Sequence, residues 1–480
     1  MNVSAFKMPI TDRENFLANV NSGLWTADPN LRSPYVHQWS FGIEKEIFKN
    51  TALEIRYVGN YAPNTWRAYN INEINIFENG FLGEFLNAQK NLAIHRAANC
   101  GKPGQPACSF TNSGLPGQVA VPIFAKFFTG AAAFTNTQFT NATFISNLDF
   151  NSIGALANAL AFSSTYKANR ENPALGLPGN FFVANPNAAF VRILANDSYS
   201  NYNAMEIELR RRFSNGLQFQ ADYTWSKAMG NATDAQGNNQ SDLVERLTLR
   251  NPKADYRRST QDQTQRFVAN AVYDLPFGKG RNYLGNTSDG LDRLVGGWTI
   301  GAIVTWSTGV PWFVGSGRTT FNNSTINNGA QLTGITFDEF KKNIGIFKTP
   351  AGLFFVNPNL LTLTIDAKTG KATGSKLKDG LMAAPAPGTF GDFPVNGLNG
   401  PSYFNFDLSF TKRIRITERV RFEIKGTAIN VLNHPNFIFP ANSANTAATN
   451  VINFDSTSFG RVSLMRGGSR AMNIIGQIRF

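Results

Sequence analysis

Histidine, cysteine and charge are all scarce in this chain. Its 480 residues include three histidines and two cysteines, and charged residues make up 16%. No stretch approaches the ~20 consecutive apolar residues that a membrane-spanning helix needs. There is no Gly-x-Ser-x-Gly elbow, no phosphate loop and no His-Glu-x-x-His pair. His37 falls in a strand-like segment, His95 in a helical one and His434 in a turn before Pro435. These absences point away from an enzyme, from a metal centre and from a bound cofactor. The opening stretch, Met1 to Asn30, has no basic segment followed by an apolar one, so no signal peptide is read there.

Long basic blocks are missing too. The net charge of +13 would attract anionic partners. The densest run, however, is only Arg210-Arg211-Arg212, beside a Ser214-Asn215-Gly216 turn. Nucleic acid is therefore not expected as a partner. The two cysteines, Cys100 and Cys108, flank a Pro/Gly-rich spacer. That spacing suits a disulfide-closed surface loop in an oxidising compartment, the alternative being two free thiols in a cytosolic loop. With only His95 nearby they fall short of a four-ligand zinc site.

What the chain does have is alternation. In 217–229, Leu217, Phe219, Ala221, Tyr223 and Trp225 share one face, and Gln218, Gln220, Asp222, Thr224 and Ser226 the other. Successive strand side chains point to opposite faces, so one side is apolar and the other wet. The same pattern recurs in 35–48, 52–61, 199–213, 264–276, 297–309, 403–413, 418–430 and 470–480. A soluble sandwich strand alternates in the same way. Repetition at strand length, aromatic ends and the lack of long helices favour an antiparallel transmembrane β-barrel, which hydropathy alone would miss.

Connections fall into two lengths. Those at Lys49-Asn50, Ser214-Asn215-Gly216 and Ile414 to Thr417 are short, and 277–296 is medium. Those at about 62–198, 230–263, 310–402 and 431–469 are long. Short periplasmic turns and long outer loops are the barrel pattern. On that orientation Trp39, Tyr223, Trp225 and Trp306 form an outer aromatic girdle, and Tyr273, Trp298 and Phe480 an inner one. The wet face would line the lumen with Glu206, Glu208, Gln218, Gln220, Asp222, Asn405, Asp407, Arg421 and Glu423. Both the first and last strands descend, an odd count where bacterial barrels usually have an even one. At least one strand is thus expected to be missing or hidden. Phe459 to Met465 is strand-like and is assigned to the last long loop. Helical spacing appears in Phe81 to Ala98 and Ile153 to Phe162, and Thr336 to Glu339 matches a capping box.

Several stretches resemble the Oar-like TonB-dependent transporters. They are Ser200 to Lys227, Arg266 to Asn270 followed by Leu275-Pro-Phe-Gly-Lys-Gly280, and Gly297-Trp298 with Thr308 to Pro311. Asn430 to Phe437 and the final Phe480 complete the set. Their joint order makes the resemblance specific over about 35–480. It implies an outer-membrane barrel of about 22 strands with a plug, a TonB box and an N-terminal carboxypeptidase-regulatory-like domain. It also implies a terminal Phe480 that serves as the signal for the barrel-assembly machinery. No plug, TonB box or regulatory-like domain is recognisable. The chain is accordingly read as the C-terminal part of such a barrel (35–480), with 1–34 a loop remnant. Its expected setting is outer-membrane lipid, its solute is unidentified, and TonB would act only through the missing part. A passive porin-like channel and a soluble all-β adhesin or carbohydrate-binding protein are the alternatives.

Overall fold

The computed structural model describes residues 23–103, 105–128, 137–170, 172–232, 246–323, 328–417, 419–440 and 450–480. Most of the stretch read as a loop remnant and as lacking a signal peptide, 1–22, lies outside them. Nine strands form a continuous wall: β1 (His37–Phe48), β2 (Thr51–Asn70), β3 (Val191–Ser214), β4 (Leu217–Gly230), β5 (Gln265–Asp274), β6 (Trp298–Ser307), β7 (Tyr403–Arg415), β8 (Arg421–Ile429) and β9 (Ala471–Arg479). Each pairs antiparallel with the next in chain order. These are the nine segments that alternation marks. Among the described residues β1 and β9 are paired on one side only, so the wall is open. Two short strands join it at the loop end. Leu24–Ala27 runs parallel to the start of β3, and Arg257–Arg258 pairs with the end of β4.

Turn chemistry sets the register at the other end. Asn50 and Asn215 adopt positive φ (64° and 52°), as Asn does readily. Gly216 follows at φ 80°, where a Cβ would stand 2.7 Å from the Asp274 carbonyl oxygen, so no larger residue fits. From there the pairing carries straight across the wall. One row reads Ile207, Tyr223, Phe267, Trp306, Phe404, and the adjacent one Glu208, Asp222, Val268, Thr305, Asn405. A slip of one residue would exchange the two faces, so burying either face in a different medium locks the register.

The long connections are where the fold departs from the sequence reading. β2 and β3 do not stop at 61 and 199. Past a register shift at Ala62/Thr65 they stay paired to Asn70 and Arg192, a ribbon standing beyond the wall. The loop between them packs α1 (Phe81–Ala97), α2 (Pro122–Phe128), α3 (Ala142–Asp149) and α4 (Ile153–Phe162) around a phenylalanine-rich core. In that core Phe81, Phe85, Phe110, Phe124 and Phe127 are fully buried. The connection read as about 310–402 carries a capping-box match and is expected to hold a short helix. It does, and Thr336 and Glu339 close the capping box, but most of its described part is short β pairs around Trp312, Phe354 and Phe393. Leu464–Met465 pairs with Phe437–Ile438 within the last loop, outside the wall.

The two caps touch. Gly154 N donates to Thr319 O (2.8 Å), Asn151 Nδ2 to Pro385 O (3.0 Å), and the Arg318 guanidinium lies 4.0 Å from the Phe150 ring centre. Gly154 is needed there, since a Cβ would stand 1.8 Å from the Asn322 carbonyl oxygen.

Candidate functional site

The polar side of the wall is built by register alone. Glu206, Glu208, Gln218, Gln220 and Asp222 share it through the β3–β4 and β4–β5 pairings, and Asn405, Asp407, Arg421 and Glu423 through those of β6 to β9. Near β1 it is mainly acidic. Arg56 Nε lies 3.1 Å from Glu206 and its Nη1 3.7 Å from Glu54, while Arg210 reaches Glu44 and, at 3.7 Å, Glu208. Near β9 it is basic, with Arg413 and Arg479 at 3.1 and 3.6 Å from Glu423 and with Arg415 opposite Arg421. Glu44, Glu54 and Arg56 were missed as members of this face. Their signal was available: each alternates with Phe41, Ile43 or Ile55. Partly exposed pairs of this kind stabilise by about 0–1 kcal/mol each. Their greater effect is to give the wall two regions of opposite charge.

The other side is apolar. Tyr223 and Trp306 stand in one cross-strand row, with Trp225 two rows further toward the loop end. Trp39 lies over Gly59, where a Cβ would meet the indole at 2.1 Å. Toward the turn end come Tyr273, opposite Ile300, and then Trp298, opposite Lys412. Trp298 and Trp306 are eight residues apart on β6, about 27 Å at ~3.4 Å per residue. A tilt of ~40° turns this into roughly 21 Å of height, comparable with the ~25 Å apolar band of a membrane barrel. Phe480 follows β9 and is 94% exposed. Lys412 shares the apolar side, and its Nζ donates to Leu294 O (3.0 Å) and to Gly296 O, so the ammonium is not left bare.

At the loop end a polar platform, 246–262, holds ribbon and caps together. Arg67, on the ribbon, is 0% exposed and ion-paired to Asp255, whose carboxylate also accepts Leu247 N at 3.2 Å. Arg246 pairs with Asp197, and Asn322 of the second cap donates to Glu73 Oε1 and Leu247 O, both at 2.8 Å. The sulfurs of Cys100 and Cys108 are bonded in the first cap. His95 Nε2 lies 2.9 Å from Ser113 Oγ. Among the described residues no three His, Cys, Asp or Glu side chains gather as a metal site.

Glu84, on α1, was not singled out by the sequence. Its side chain is buried between α1 and α2 and accepts Phe124 N at 2.6 Å. Burial pushes its carboxyl up to about 7, against the backbone N–H groups of Ile123 and Phe124 and the charge of Lys126. The folded value lies above the unfolded one. Below pH ~4.5 both states are protonated and nothing is lost; as pH rises to ~7 the unfolded state sheds its proton first. First-cap stability should therefore fall by roughly 3 kcal/mol between pH 4.5 and 7 and then level off. Hydrogen exchange of α1 and α2, corrected for intrinsic rate, reads this directly. Glu84→Gln should flatten the slope, and a slope that survives the exchange refutes the assignment.

The profile of a family described as "Outer membrane beta barrel domain" matches residues 2–473. No curated protein matches the chain in sequence. Among solved structures, the outer membrane transporter YddB from Escherichia coli is similar, with 8% identity over 96% of this chain and 34% of that one, at a TM-score of 0.36. The FrpB iron transporter from Neisseria meningitidis follows at 9% identity over 95% and 33%, with a TM-score of 0.30. A Pseudomonas aeruginosa FadL homologue is similar at 8% identity over 93% and 66%, with a TM-score of 0.16. The chain thus spans about a third of the length of the two transporters. A sheet with one apolar and one charged side, matched by the family profile over nearly its whole length, makes this chain a member of the outer membrane beta barrel domain family, placed in the outer membrane.

Proposed function

We propose that the chain is part of the wall and outer cap of a TonB-dependent transporter for a solute of the outside medium. The observation that carries this reading is the charged, ion-paired inner side of the wall, combined with two packed caps at its loop end. Polar side chains there give a solute a wet path, and caps of this size give it a surface to meet first. The TonB-dependent assignment rests on the ordered motifs between Ser200 and Phe480, and TonB itself would act through a plug. On this reading the chain carries no reaction of its own.

A passive porin is the competing reading, and strand direction among the described residues favours the transporter. β1 and β9 both run from the loop end to the turn end. Joining them directly would make a parallel seam, so an antiparallel barrel needs an odd number of further strands between them. Left open in hydrocarbon, each unpaired N–H or C=O on those edges costs several kcal/mol. The isolated chain, refolded in detergent, should give neither a compact heat-modifiable monomer on electrophoresis nor a steady pore in potassium chloride. A steady single-channel conductance from this chain alone would replace the transporter reading with the porin one.

A further inference from the structure

The connection between β5 and β6 is the longest at the turn end, and its exposed residues are unusually apolar. Phe277, Tyr283, Leu284, Leu291 and Leu294 all stand out from the chain, Leu294 71% and Tyr283 60% exposed. Leu284 holds φ at 60°, a conformation bulky residues seldom adopt, and it buries little in return. The segment is nonetheless folded. Gly280 N donates to Gly285 O at 3.0 Å, Lys279 Nζ pairs with Asp289 at 2.6 Å, and Lys279 N donates to Asp292 at 2.6 Å. Asp289 opens α5 (Asp289–Val295), in which Leu291 and Leu294 are three residues apart on one face.

Its position follows from two side chains of the wall. The Trp298 indole N–H donates to Leu294 O at 3.0 Å, and Lys412 Nζ donates to Leu294 O and Gly296 O. Both belong to the apolar side, paired with each other two residues beyond the Ile300–Phe410 pair. The connection therefore folds outward against the lipid-facing side and not beneath the polar one. Its apolar residues continue that surface past the Trp298 level, where Arg281 and Arg293 are exposed.

We propose that 277–296 is a membrane foot. It inserts Leu291, Leu294, Tyr283 and Leu284 into the turn-end leaflet of the outer membrane and sets Arg281 and Arg293 against anionic phospholipid headgroups. Continuity with the lipid-facing wall selects lipid as the occupant, and apolar residues beside arginines are the composition an interfacial element needs. The foot also explains Lys412. A lipid-facing lysine at this level is capped by the foot's own carbonyls, which anchor the foot in turn.

The test is spin-label accessibility in outer membranes isolated from cells producing the full chain. Labels at Leu294→Cys and Leu284→Cys should be relaxed by oxygen and shielded from a water-soluble nickel chelate. Phe406→Cys serves as the lipid reference and Lys368→Cys, on the loop side, as the aqueous one. A Leu294 label as open to nickel as the Lys368 label overturns the foot and marks this face for a periplasmic protein. A Phe406 label open to nickel removes the lipid-facing wall itself, and the foot with it. In the Arg281→Gln/Arg293→Gln variant, phosphatidylglycerol retained by the purified chain over phosphatidylcholine should fall about fivefold per arginine. Unchanged lipid selectivity overturns the headgroup contact.

Discussion

Replacing Asp255 with alanine is expected to free the 246–262 platform from the ribbon, at a cost of about 3–5 kcal/mol. Arg67 would then be a fully buried cation with no counter-charge in contact. Its Nε and Nη1 already lack hydrogen-bond partners among the described residues, so Asp255 supplies most of the compensation. Arg257 Nη1, 3.8 Å from the same carboxylate, would lose it as well, and so would Leu247 N. Hydrogen exchange over 246–262 and over Arg67 to Asn70 should accelerate together, while β5 to β9 stay protected. Pairing the change with Arg67→Met, and using leucine at 255, should restore much of the loss, because a buried ion pair contributes little beyond what packed apolar groups provide. If the single and double variants exchange alike, the pair is not what holds the platform.

The second large effect concerns the lipid side. Leu408 is opposite Ala302, which lies four residues from both Trp298 and Trp306, so it sits midway between the aromatic levels. Leu408→Arg should destabilise the wall by about 2–4 kcal/mol, as arginine does at the bilayer midplane. Ser409→Arg, one residue on and on the polar side, should cost far less. The yield of each variant in the outer-membrane fraction of producing cells makes the comparison. Equal tolerance of the two would mean that neither side of this wall faces hydrocarbon.

Strand identity and side were legible because both are local. An extended backbone alternates its side chains whatever surrounds it, so Leu217 to Trp225 declares two faces with no knowledge of its neighbours. The Asn215-Gly216 turn then fixes how β3 meets β4, and the same logic passes from hairpin to hairpin. The capping box at Thr336 and Glu339 was legible for a similar reason, since both hydrogen bonds lie within four residues. The charged region near β1 was only half seen. Glu206 and Glu208 were marked, but Glu44, Glu54 and Arg56 join them through pairings that cross β2.

Sequence by itself therefore determined the nine strands, their two sides, the two lengths of connection and the outer-membrane class. Tertiary structure alone decided what the long connections become. Arg67 and Asp255 are 188 residues apart, and nothing near either one names the other. Glu84 reads as an ordinary helix-surface acid until α2 covers it. The ribbon beyond Ala62 exists because β2 and β3 continue to find each other, and the second cap is β-rich because its short strands pair across loops. The physical reason is the range of the determining interaction. Alternation and turn geometry act over a few residues and leave a periodic trace. The closure of a long loop is decided by complementary surfaces that meet only after the chain has folded, and by the entropy lost in bringing them together.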